Sequence, residues 1–141
     1  MSSRVFVDTL FVIALINKRD QYHERAAELA DQLEGQPLLV TDAVLLEIGN
    51  ALARNFRHEA VEVIEEFFAS EEVEIVRLDP DLFERAFSTY KGHQDKEWGL
   101  VDCASFVVMK EASVLAALTF DQHFVQAGFK ALMRNDSQGS C

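Results

Sequence analysis

"RVFVDTLFVIALIN", residues 4–17, decides how the chain is read. Its first part, "RVFVD", is a short apolar run rich in β-branched and aromatic side chains, which reads as a buried strand. From Thr9 the apolar character continues, but with a length and composition that suit a helix. The two pieces meet at one carboxylate, Asp8. A near-continuous apolar strand passing straight into a helix predicts the first unit of a parallel sheet covered on both faces.

The alternation recurs outward from there. "DQYHERAAELADQLEG" (20–35) places apolar or small residues at helical spacing, with Gly35 as its C-cap. "PLLV" (37–40) reads as the second strand. Thr41 or Asp42 caps a helix over about 42–55, and "HEAVEVIEEFFAS" (58–70) is another. "VEIVRL" (73–78) is the third strand. Asp79-Pro80 opens a helix to about Lys91, since proline fits its first position. A polar link precedes a helix over about 98–112. "VLAALT" (114–119) is the fourth strand, "DQHFVQAG" (121–128) a short helix, and "FKALM" (129–133) the fifth strand. The fold class is therefore α/β, with one domain over residues 1–134 and a polar tail over 135–141. In such sheets ligands bind outside the carboxyl ends of the strands.

The 141 residues are 49% hydrophobic and 26% charged, enough for a real core, and the formal net charge is −11. That charge argues against a nonspecific nucleic-acid coat or an anionic-membrane patch, though not against a local phosphate site bridged by metal ions. Two cysteines, Cys103 and Cys141, are too few for a disulfide scaffold and suit a reducing cytosol. The longest apolar stretch, Leu10 to Ile16, is far shorter than a membrane span, and "MSSRVFVDT" lacks the regions of a signal peptide. A cytoplasmic protein without membrane partners is expected.

Four acids stand in apolar company. Asp8 ends the first strand, and Asp121 follows the fourth. Glu47 has Ala43, Val44, Asn50 and Ala51 as its helical neighbours, so it is expected to point inward. Asp102 interrupts "GLVDCASFVVM" (99–109), where burying an unpaired charge is costly. Each admits a plainer role. Asp8 and Asp121 can cap helices, Asp102 can favour a first turn, and Glu47 can be solvated or paired. As one cluster, they would repel, and a divalent cation would relieve the repulsion. Carboxylate oxygens without nearby Cys or His ligands suit Mg2+ or Mn2+, which can activate water for phosphodiester hydrolysis.

"VFVDT" (5–9), "LLEIGNAL" (45–52), "EWGLVDCASF" (97–106) and "LTFDQHFVQAGF" (118–129) resemble, in order and spacing, the motifs of PIN-domain ribonucleases, especially the VapC-type toxins of toxin–antitoxin pairs. The resemblance runs over about residues 4–133. It implies a three-layer α/β/α sandwich around about five parallel strands, and metal-dependent cleavage of single-stranded RNA. Asp8, Glu47, Asp102 and Asp121 match the four acids that hold Mg2+ or Mn2+. Thr9 and Thr119 match the hydroxyls flanking the first and last acids and take a supporting role, and Ser105, one helical turn from Asp102, is a candidate to support it. The resemblance also implies a homodimer and a cognate antitoxin that blocks the site.

Arg54, Arg57, Lys91 and Lys96 are candidate contacts to the RNA backbone. The four histidines show no metal-ligand spacing. His123, two residues past Asp121, is read mainly as surface or packing, with an approach to the substrate as its lesser reading. Trp98 is expected to pack at the start of its helix, Cys103 to be a small core residue, and Asp95 is a candidate to join the acids through water. A haloacid-dehalogenase phosphatase needs a second acid where Leu10 stands. A receiver domain needs a lysine after the fifth strand that cannot be placed. A housekeeping PIN-domain ribonuclease and a non-catalytic RNA- or protein-binding module on the same fold remain the alternatives.

Overall fold

The computed structural model describes residues 4–134. The tail expected at 135–141 lies outside the described residues. Five strands, β1 (Val5–Val7), β2 (Leu38–Thr41), β3 (Val73–Val76), β4 (Ala116–Leu118) and β5 (Lys130–Ala131), form one sheet in the order β3-β2-β1-β4-β5. Every neighbouring pair is parallel, for example Phe6 beside Leu39 on one side and Ala117 on the other. The helices are α1 (Thr9–Ile16), α2 (His23–Gln32), α3 (Asp42–Ala51), α4 (Arg57–Ala69), α5 (Pro80–Gly92), α6 (Leu100–Ala112) and α7 (Gln122–Gln126). Together they make the three-layer α/β/α sandwich.

The central strands are apolar throughout because both faces are covered. Phe6, Val7, Leu39, Val40 and Ala117 are fully buried. Helix α6 is buried on several sides, through Cys103, Ala104, Phe106, Val108 and Met109. Phe106 meets Trp98 and Phe124 edge-on, each with ring centroids 5.0 Å apart. Helix starts follow local chemistry. Asp79 accepts from the Leu82 N–H at 2.8 Å, with Pro80 at the first helical position of α5. Thr41, not Asp42, caps α3, accepting from the Val44 N–H. Asp42 instead accepts from the Leu78 N–H across to the segment after β3.

Element boundaries differ from expectation in places. Helix α2 begins at His23, because the Asp20 carboxylate accepts the Tyr22 N–H and holds residues 20–22 in a turn. It ends at Gln32, with Gly35 in the turn beyond at φ 83. Helix α3 stops at Ala51, short of 55, and β5 is only two residues long. No helix of the described residues is long and apolar enough to cross a membrane.

Strand order fixes where a site can form. From β1 the chain moves outward through β2 to β3, then returns across the sheet to β4 beside β1. The direction of winding reverses between β1 and β4, and the carboxyl ends there open into a crevice.

Candidate active site

Asp8 leaves β1 at that crevice. It stands at the N-cap position of α1, yet its side chain makes no capping hydrogen bond. Instead Oδ2 accepts from the Thr119 hydroxyl, just past β4, at 2.8 Å. The Asp8 N–H also donates to the Leu118 carbonyl, so backbone and side chain together join the ends of β1 and β4. Asp8 is 4% exposed. Thr119 in turn accepts from the Asp121 N–H at 3.1 Å, which holds the fourth acid beside the first.

Glu47 comes from the second half of α3, and its Oε1 accepts the Thr9 hydroxyl at 2.6 Å. Thr9 therefore meets the second acid, although it adjoins the first in sequence. Asp102 sits on the first turn of α6, and its Oδ2 reaches back to accept the Gly99 N–H at 3.1 Å. Asp121 accepts the His123 N–H at 2.9 Å and so does cap α7. The plain roles are thus real for Asp102 and Asp121, and both carboxylates still face the crevice.

All four acids line one cleft of about 530 Å3, together with Thr9, Leu10, Asn50, Ala51 and His123. His123, expected mainly at the surface or in packing, lines this cleft beside two of the acids. Its Nδ1 lies 3.2 Å from Asp102 Oδ2 and 3.4 Å from Asp121 Oδ1. Asp102, Asp121 and His123 offer ligand atoms all within 4.8 Å of one another. The sequence signal was its place two residues after an acid at a helix start. There, the Asp121 cap holds the His123 backbone at the start of α7, and the imidazole itself lies against Asp102 and Asp121.

The electrostatics follow from burial and crowding. Burial pushes the Asp8 carboxyl up to about 7, with repulsion from Asp102 and Glu47 adding to it and the Thr119 hydrogen bond opposing it. Glu47 is also raised, by burial first and then by Asp102. Asp102 is raised by burial and by Asp121, against the Gly99 N–H and His123. Three acids holding protons above their ordinary range describe a cluster short of positive charge. A divalent cation fits such a donor set of oxygens with one imidazole.

The remaining candidates fall elsewhere. The Ser105 hydroxyl is fully buried and donates to the Val101 carbonyl of its own helix at 3.0 Å, so it does not support Asp102. Helical hydroxyls often take this bond to the preceding turn. Trp98 packs, with its indole N–H donating to Gln126 at 2.9 Å. Asp95 pairs with Lys96 at 2.9 Å and sits below its ordinary range for that reason. Cys103 is buried, and desolvation pushes its thiol up to about 11, which suits a core residue. None of Arg54, Arg57, Lys91 and Lys96 lines the acid cleft. Lys91 lies over the Phe87 ring, and with Lys96 it lines a separate cleft. Arg54 and Arg57 are exposed on either side of Asn55 and Phe56.

The PIN domain family matches residues 5–130. The chain is 33% identical over 126 residues to the 23S rRNA-specific endonuclease VapC20 of Mycobacterium tuberculosis, in strains CDC 1551 / Oshkosh and ATCC 25618 / H37Rv. The match covers 89% of this chain and 95% of that protein. The crystal structure of Mycobacterium tuberculosis VapC20, a Sarcin-Ricin loop cleaving toxin, superposes with a TM-score of 0.80 at 32% identity over the same shares of the two chains. On sequence and on fold alike, the chain belongs to the PIN-domain family, in its VapC-type group.

Proposed function

We propose that the chain is a Mg2+- or Mn2+-dependent endoribonuclease, the toxin of a toxin–antitoxin pair. One observation carries the reading. Asp8, Glu47, Asp102 and Asp121, from four distant segments, line a single cleft at the reversal point of the sheet. Asp8, Glu47, Asp102 and Asp121 would hold the ion, with His123 beside the last two. Bound there, the ion supplies positive charge to a phosphodiester and lowers the pKa of an attacking water. Thr119 and Thr9 fix the carboxylates of Asp8 and Glu47 through their hydroxyls. Asp8 is itself buried, which shields its carboxylate from bulk water. The expected products carry a 5′-phosphate and a 3′-hydroxyl.

The substrate is RNA, single-stranded or presented as the loop of a structured element. Because the relative acts on 23S rRNA, its sarcin–ricin loop is the first substrate to try. The functional protein is a homodimer, and a cognate antitoxin that covers the cleft controls it. Purified chain incubated with this loop and with generic RNA should cleave in Mg2+ or Mn2+. Cleavage should stop in EDTA, and Asp102→Asn should lower the rate by at least about a hundredfold, the scale expected for losing one charge stabiliser of a transition state. Full activity in EDTA or in Asp102→Asn would refute the reading.

A further inference from the structure

We propose that Lys18, Arg19, Arg54 and Arg57 form a phosphate-binding patch that anchors the RNA strand a few nucleotides from the acid cleft. The proposal rests on the nuclease reading above. The acid cleft is walled by Thr9 and Leu10 at the start of α1 and by Asn50 and Ala51 at the end of α3. A second cleft, of about 580 Å3, is walled by the residues that follow on each element. These are Asn17, Lys18 and Arg19 after α1, and Asn55 and Phe56 after α3. Helices α1 and α3 pack against each other, so the two clefts succeed one another along the same pair. From Thr9 to Ile16 the helix rises about 10 Å.

Charge selects the occupant. The chain has 24 acids against 13 lysines and arginines. Arg4, Arg25, Arg85 and Lys96 are each tied to an acid. Lys18, Arg19, Arg54 and Arg57 are exposed, and among the described residues none of them forms an ion pair. Lys18 and Arg19 line the second cleft, and Arg54 and Arg57 flank Asn55 and Phe56 in the chain. Glu59 is the one acid lining that cleft. Asn17 lines the cleft too, and its side-chain carbonyl accepts the Arg19 N–H at 3.0 Å. Uncommitted guanidinium and ammonium groups beside amide donors match a phosphodiester backbone. The acids repel a polyanion wherever no metal offsets them, so a strand reaching the cleft gains from a basic anchor next to it.

The test measures binding of a short unstructured RNA in EDTA by fluorescence anisotropy over a range of salt. It compares wild type with Lys18→Gln/Arg19→Gln, with Arg54→Gln/Arg57→Gln, and with Lys110→Gln/Lys130→Gln as an equal charge change on α6 and β5. Each patch pair should weaken binding about tenfold and reduce the logarithmic salt slope by about 1.4, while the control pair leaves the slope alone. In Mn2+ the patch variants should show raised KM with kcat unchanged. If wild type cleaves and the patch variants match it in affinity, slope and KM, the patch is overturned and the nuclease reading stands. If the slope falls but wild type cleaves no RNA, the patch stands and the nuclease reading fails. Unchanged RNA binding with loss of polyglutamate binding would assign the patch to an acidic polypeptide and overturn the proposal.

Discussion

Asp8 carries the sharpest physical signature of any single residue. Folded, its carboxyl titrates near 7, against an ordinary value of 3.8, chiefly because it is buried. The folded state thus binds more protons between those values, and without metal its stability falls as pH rises from about 4 to 7. Asp8→Asn removes that contribution. In EDTA, the stability of wild type relative to Asp8→Asn should drop between about pH 5 and about pH 8 by a few kcal/mol, since one pKa unit is about 1.4 kcal/mol. Urea denaturation of both proteins at the two pH values checks this, and a constant difference would contradict it. At this scale the sequence was readable where a residue's neighbours in the chain decide its surroundings. Glu47, in mid-helix among small and apolar neighbours, does turn inward. The partners of Ser105 and His123 are not legible in the sequence, because geometry chooses them. Ser105 takes the carbonyl one turn back, and the His123 ring lies against Asp102, which comes from a different helix.

Among the elements, α6 joins core to site. Its apolar residues fill the space beneath the carboxyl edge, while its first turn presents Asp102 to the cleft. Core and site should therefore separate on mutation. Phe106→Ala empties the junction between Trp98 and Phe124 and should cost about 3–5 kcal/mol in chemical denaturation. Asp79→Ala, which removes only the α5 cap, should cost about 1 kcal/mol. Equal losses for the two would mean that α6 is not the packing centre described. All five strands were legible as apolar runs between turn signals. Helix ends were less so, because Asp20 and Thr41 settle them through side-chain bonds whose choice a pattern of spacing does not contain.

For the whole molecule, the question is how a chain of net charge −11 addresses a polyanion. The strand order supplies the place, since the reversal between β1 and β4 brings acids from residues 8, 47, 102 and 121 into one crevice. The parallel α/β class was readable from alternation alone. The meeting of the four acids was readable only through ordered motifs, because nothing in local spacing brings α3 over the end of β1. The cations of the second cleft were half legible. Arg54 and Arg57, beside its Asn55 and Phe56 in the chain, could be nominated, but Lys18 and Arg19 meet Asn55 and Phe56 around one cleft only through the packing of α1 on α3. A metal bound by the acids would reconcile that crevice with a polyanion. Calorimetric titration of wild type and Asp102→Asn with Mn2+, at matched pH and with folding checked by circular dichroism, tests it directly. Wild type should bind Mn2+ saturably, and Asp102→Asn should bind at least about tenfold more weakly. Equal affinity in two folded proteins, or no binding to wild type, would contradict the account.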